Sequence, residues 1–435
     1  MSRIKLVLLA LAVTGMSLFI VACGDDEEDS GDGGGGGETS LDLVIGDSVP
    51  LSGDLADFGP PGQKAADLAV EEINTAIEEV GADHTVEIVH EDNAGGADQQ
   101  AAVQSARKLV ESDSATCITG AWASDDTIPI AESVAIPEGV LLISPASTSD
   151  EITGLEDDGL VNRTAPPDAF QGPTLSTYLV EKALGGAQGN TINIGARNDA
   201  YGTGLADTFS VAWEAAGGSI GEEVVYDTTL PNYDTEAEQI LSGNPDGIVI
   251  IDFPETYNKV GPALVRAGFD PSQAFVTDGL ISSDLAEGAG ADAVNGLRGT
   301  APGVPDDDSS SKAFDKAYTA FEPTDVERQT FDAQNFDAAV LCYLAAVAAG
   351  STDGQEMADQ VREVSAPPGD AYTWEQLPEA IEALQNGDDI DYQGASGAID
   401  MDDAGDATSG VYDLYEFKDG APAPVDEIDV VTPEG

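Results

Sequence analysis

The chain has 435 residues, 82 of them Asp or Glu against 16 Lys or Arg, for a formal net charge of −66. That balance excludes nucleic acid as a partner, because phosphate binding needs clustered Lys and Arg. The length excludes one ordinary hydrophobic core, which stops growing near ~250–300 residues, and suits two lobes.

Self-repulsion on this scale destabilises a compact state at low ionic strength, so the acidic excess points to work in high salt. Residues 1–22 read as a signal peptide: Arg3 and Lys5, then an uncharged apolar run ending at Ile20-Val-Ala-Cys23. A small residue before Cys23 is the pattern for lipoprotein cleavage and acylation of that cysteine, which expects attachment to the outer face of the cell membrane. Several acyl chains anchor stably where a single one does not. Residues 23–40 hold Asp25 to Asp29 and Gly33 to Gly37, which bury nothing and read as a flexible tether.

From residue 41 onward, short apolar runs alternate with amphipathic stretches. Leu43 to Asp47 is a first strand, and Pro60-Pro61 opens a helix to about Glu79 with Leu68, Ile73, Ala76 and Ile77 on one face. A strand over Val86 to Asp92 and a helix over Ala97 to Glu111 follow. The strand Ala115 to Thr119 leads into Gly120-Ala-Trp-Ala-Ser-Asp-Asp-Thr127, with Ser124 placed as the N-cap of a helix. Val140 to Ile143 repeats the plan and ends in Ser144, Ser147, Thr148 and Ser149. Backbone N–H groups and hydroxyls at the carboxyl ends of parallel strands form a concave polar site suited to a small anionic group.

A second set of strands is predicted over Thr191–Gly195, Glu223–Tyr226, Gly247–Ile251 and Ala274–Thr277, with helices over 170–184, 203–216 and 255–267. Four helices between Ser311 and Gln385 and a last strand, Val411 to Phe417, complete the chain. Alternation of this kind argues mainly parallel sheets flanked by helices, an α/β fold of two like lobes with a cleft between them. Cys117 falls on a strand and Cys342 in an apolar helix, far apart in sequence and without metal-type spacing, so both are expected as buried free thiols.

Signals for enzyme chemistry fail on context. Gly217-Gly-Ser-Ile-Gly221 has the G-x-S-x-G pattern of a hydrolase nucleophile, but a helix precedes it and a strand follows, the reverse of a nucleophile elbow. Gly202-Thr-Gly204 lacks the third glycine of a dinucleotide fingerprint. Asp400-x-Asp402 fails as a calcium loop because Ala404 and Val411 stand at ligand positions. No catalytic residue, cofactor or metal is therefore assigned.

Pro50-Leu-Ser-Gly-Asp-Leu-Ala-Asp-Phe-Gly59, Gly120-x-x-x-Ser124, Ile143-Ser-Pro-Ala-Ser-Thr148, Arg163-Thr-Ala-Pro-Pro-Asp168, Asn198-Asp-Ala-Tyr-Gly202 and Thr277-Asp-Gly279 occur in that order. Together they resemble the branched-chain amino-acid (Leu/Ile/Val) binding lipoproteins of ABC importers, the type I periplasmic binding proteins, over about Asp42 to Gly420. The resemblance implies a two-lobed clamshell with three hinge crossovers, near Ala165-Pro166, Leu297 to Thr300 and Asp402 to Thr408. Lobe 1 would be 41–166 plus 299–405, and lobe 2 would be 167–298 plus 406–435. It implies a monomer that holds a free amino acid and delivers it to separate permease and ATPase subunits. Carried over by position, Ser124, Ala146 and Thr148, with Ser147 in the same loop, would take the ligand's carboxylate and ammonium. Tyr201 and Asp278 would close from the second lobe and Phe58 from the first loop, with Phe253 and Phe331 beside the side chain and Trp122 narrowing the pocket. An amide or urea-like solute, or a sensory ectodomain of the same fold, are the alternatives.

Overall fold

The computed structural model describes residues 40–304 and 308–431, so the leader, Cys23 and the Gly-rich segment lie outside the described residues. Five strands, β1 (Leu41–Val49), β2 (His84–Asp92), β3 (Cys117–Thr119), β4 (Leu141–Ser144) and β5 (Val161–Arg163), form an all-parallel sheet in the order β2-β1-β3-β4-β5. The strand order reverses between β1 and β3, and in open α/β sheets ligands bind outside the carboxyl ends of the strands at such a point.

The chain then crosses to a second sheet. β6 (Thr191–Arg197), β7 (Ser219–Tyr226), β8 (Gly247–Ile251), β9 (Ala274–Val276) and β10 (Arg298–Gly303) run parallel there. It returns through helices Ser309–Ala320, Asp332–Ala349, Gly354–Ser365 and Leu377–Gln385, with a small sheet of β11 (Asp370–Thr373), β12 (Ile390–Gly394) and β13 (Gly397–Ala398) that the sequence did not announce. β14 (Ser409–Lys418) and β15 (Ala421–Val431) close the second sheet antiparallel, in the order β15-β14-β10-β9-β8-β6-β7.

One expected boundary moves. Residues 297–300, read as a crossover, instead enter β10, which pairs with β9 on one side and β14 on the other. Residues 299–303 therefore lie with the second sheet, and the chain leaves it only after Gly303. The reason is the pairing itself: backbone N–H and C=O groups with strand neighbours on both sides are satisfied inside the sheet and have no cause to leave it.

Helix Asp332–Ala349 is apolar nearly all round because it is buried nearly all round, from Asp332 to Val347. It packs between helix Gly59–Val80 and the first sheet and brings Cys342 onto β3. The expectation of two free thiols is corrected here: Cys117 and Cys342 form a disulfide across a sequence separation of 225. The first lobe is assembled from two distant stretches of chain, and this bond joins them.

A second tie sits at the hinge. Arg163, fully buried, places Nε 2.6 Å from Asp406 Oδ1 and donates through Nη1 to the Ser149 carbonyl at 2.9 Å, while its backbone N–H reaches Gly405 O. The first and third crossovers are thus held together by one guanidinium.

Candidate functional site

The loops after the strands of both sheets converge on one small cavity, and concave, mostly apolar clefts of this kind are where small molecules bind. The first lobe contributes Leu55 and Phe58 after β1, Trp122 and Ser124 after β3, and Ala146 after β4. Tyr201 follows β6, Phe253 follows β8, and Asp278 and Gly279 follow β9. Phe331 enters just ahead of helix Asp332–Ala349.

The walls are aromatic. Phe253 stacks on Tyr201 with centroids 5.0 Å apart, and Trp122 meets Phe331 edge-on at 6.5 Å. Trp122 fits because helix Gly59–Val80 presents Gly62 to it: a Cβ there would lie 2.2 Å from the indole. Phe331 adopts a left-handed backbone, φ 73°, a strain of ~1–3 kcal/mol that other contacts must hold in place. Phe58, Phe253 and Phe331 are each at most 5% exposed and also belong to a hydrophobic cluster spanning the two lobes, so they serve packing and cavity wall at once.

Polar groups on the cavity wall are few. Asp278 is buried, and its Oδ1 accepts from the Tyr201 hydroxyl at 2.8 Å; that hydroxyl also lies 2.7 Å from Thr277 Oγ1. Burial pushes the Asp278 carboxyl up to about 6, against the pull of hydrogen bonds from Tyr201 and Gln171. A second carboxyl, Asp168, is fully buried near it; burial and the Asp278 charge hold it well above the usual carboxylate range. Lys, Arg and His are missing from the cavity lining among the described residues. The electrostatics therefore favour a ligand that brings a cationic group to Asp278.

A family model described as "Periplasmic binding protein" matches residues 42–421. The chain belongs to the periplasmic binding protein family. Among its relatives, the Leu/Ile/Val-binding protein homolog 1 of Brucella abortus is 28% identical over 329 residues, covering 74% of this chain and 82% of that one. The chemotactic signal transduction system substrate-binding protein BasB of Halobacterium salinarum is 26% identical over 364 residues, 82% of this chain and 83% of that one. Two solved structures share the fold at a TM-score of 0.71: leucine-binding LivK of Thermotoga maritima (23% identical, 90% and 99% of the chains covered) and LivJ of Streptococcus pneumoniae in complex with isoleucine (22%, 89% and 99%). As a periplasmic binding protein the chain works outside the cytoplasm, a setting in which a disulfide persists.

In this periplasmic binding protein, eight of the ten residues singled out from sequence line one cavity: Phe58, Trp122, Ser124, Ala146, Tyr201, Phe253, Asp278 and Phe331. Ser147 does not. Its hydroxyl lies 2.7 Å from Thr127 Oγ1 and within reach of the Ala121 and Trp122 carbonyls, so it ties one loop to the other. Thr148 is buried and does not line the cavity. Ser124 is not an N-cap either: Ala123 occupies that position, and the Ser124 hydroxyl accepts from the Ser149 N–H at 3.1 Å. Leu55 and Gly279 were missed; both line the cavity one to three residues from a predicted member.

Proposed function

We propose that this periplasmic binding protein captures a free amino acid with a branched apolar side chain and hands it to an ABC permease. The observation that carries the reading is a cavity with one buried carboxylate on the second lobe, a hydroxyl on the first and aromatic walls. Asp278 matches an α-ammonium, and Ser124 with the N–H groups of its loop matches an α-carboxylate. Phe58, Trp122, Phe253 and Phe331 bury an aliphatic side chain. The names of the relatives agree. Cys23 would carry the lipid anchor, and no residue is given a catalytic role. A second reading, favoured by the likeness to the Halobacterium chemotactic protein, is that the loaded form also reports to a chemotaxis receptor; it requires the same ligand.

A thermal-shift screen over amino acids, amides and urea tests the ligand class, since a solute that binds only the folded state raises the melting temperature by mass action. Leucine, isoleucine and valine are expected to give the largest shifts; a screen in which only amides respond overturns the amino-acid reading. In the same assay the unliganded melting temperature should rise steadily with NaCl, because at ~1 M salt the screening length falls to about 3 Å. A flat or falling series removes the high-salt adaptation.

Affinity should also depend on pH in a set direction. Below about 6 Asp278 is protonated and offers the ammonium no charge; above it the ionised form does. Leucine binding measured by calorimetry is expected to strengthen as pH rises from 5 to 7.5 and then level off. Because the folded pKa is raised above the unfolded one, the same carboxyl favours folding most at low pH, and that contribution is lost as pH rises toward 6. Binding and unliganded stability therefore move in opposite directions through this window.

A further inference from the structure

The first lobe reaches the second through the loop that carries Leu55 and Phe58, and its contact there is ionic. Arg197, at the carboxyl end of β6, is fully buried. Its own lobe supplies Asp199, which bonds Nε, and Asp252, whose Oδ1 lies 3.8 Å from Nη1. The first lobe adds Asp54, with Oδ2 2.9 Å from Nη2, and the Gly96 carbonyl at 3.4 Å. Asp54 Oδ2 also accepts from Thr256 at 3.4 Å. The guanidinium plane lies 3.7 Å over the Phe253 ring, whose other neighbour in the stack is Tyr201. Tyr201 in turn holds Asp278.

From this juxtaposition we infer that Asp54 and Arg197 are the closing latch of the clamshell, positioning residues that act on the ligand through Phe253 and Tyr201 without touching it. The inference rests on the reading of the protein as a two-lobed binder. Asp199 and Asp252 belong to the same sheet as Arg197 and stay with it when the lobes part, whereas Asp54 and Gly96 meet it only when they close. A contact made in one state alone shifts the population toward that state by the whole of its net free energy. Because Asp199 on its own lobe bonds the guanidinium, removing the Asp54 charge does not leave the buried cation unpaired, and the cost that makes broken buried pairs destructive does not arise. Arg197 and Phe253 share a lobe, so the guanidinium that Asp54 grips is already stacked on the ring beneath the ligand.

The test uses the full chain, with Asp54→Asn as the probe and Asp207→Asn, an exposed position on helix Ala200–Ala215, as a control of equal charge change. Leucine release followed by stopped flow should quicken about tenfold in Asp54→Asn, the worth of a buried hydrogen bond between charged groups. Leucine association and the ranking among leucine, isoleucine and valine should match the wild type, and the unliganded melting temperature should fall by far less than the lost affinity requires. Release at the wild-type rate overturns the latch, as does a fall in unliganded melting temperature large enough to account for the lost affinity. Small-angle scattering without ligand keeps the two readings apart: a larger radius of gyration in the variant supports the latch even if leucine fails to bind, and equal radii count against it. Failure of leucine to bind the wild type overturns the proposed ligand alone.

Discussion

Asp278→Asn is expected to weaken leucine binding about a hundredfold or more while leaving the unliganded fold at least as stable as the wild type. The substitution keeps shape and keeps an oxygen for the Tyr201 hydroxyl, which donates to Oδ1 at 2.8 Å. What it removes is charge. An α-ammonium entering a site with no other ionised partner on its wall would be left buried and uncompensated. The loss combines a charged hydrogen bond, ~1.5–3 kcal/mol, with part of the cost of a lone buried ion, and at about 1.4 kcal/mol per tenfold it exceeds two decades. Stability moves the other way because burial already disfavours the Asp278 carboxylate, as its elevated pKa of about 6 shows; a neutral amide relieves that penalty. Titration calorimetry and thermal unfolding of the variant measure both halves. An affinity within threefold of the wild type would remove Asp278 from the site.

Removing the disulfide should have the largest effect on stability. The bond joins Cys117 on β3 to Cys342 in the central helix across 225 residues. In the chain-entropy description a closed loop of that length restricts the unfolded ensemble by about 5 kcal/mol. Strands β6 to β10 of the second lobe lie within the loop, so the bond holds the two halves of the first lobe together whatever those strands do. Cys117→Ala/Cys342→Ala should therefore lower the melting temperature by roughly 5–10 °C, read by calorimetry at fixed salt. Both sulfurs are fully buried, so the two alanines also leave a small cavity, which acts in the same direction. Reduction of the wild type by thiol in denaturant, followed by refolding, should reproduce the loss. A melting temperature that does not change would mean the two halves are held by packing alone.

The parts of this molecule that were legible in the sequence are those written by neighbours in the chain. Gly247-Ile-Val-Ile-Ile251 reads as a strand buried on both faces, and it is one, because a two-sided burial demands an uninterrupted apolar run. Gly217 and Gly218 read as a helix ending ahead of a strand, and Gly217 takes a φ of 94° that a side chain would strain. Most of the cavity lining was reached through the resemblance, with the strand-tip loops after β3 and β4 legible by themselves: in a parallel sheet the polar loops follow the strand tips, so motifs after successive strands mark the same edge of the fold.

The parts that were not legible are contacts between residues far apart. Ser124 looked like a cap until Ser149, 25 residues on, donated to it. Leu297 to Thr300 looked like a crossover because nothing local records that β14 waits more than a hundred residues later. The pairing of Arg197 with Asp54 spans 143 positions and depends on the lobes meeting.

What the sequence by itself determined is the succession of strands and helices, the acidic composition and the residues offered at the strand tips, since period, capping and charge are properties of a few consecutive side chains. What only the tertiary structure decided is who faces whom: the Cys117–Cys342 bond, the turning of Ser147 away from the cavity, and the guanidinium shared between lobes. Those depend on the path of the backbone through space, which brings together atoms that no window along the chain contains.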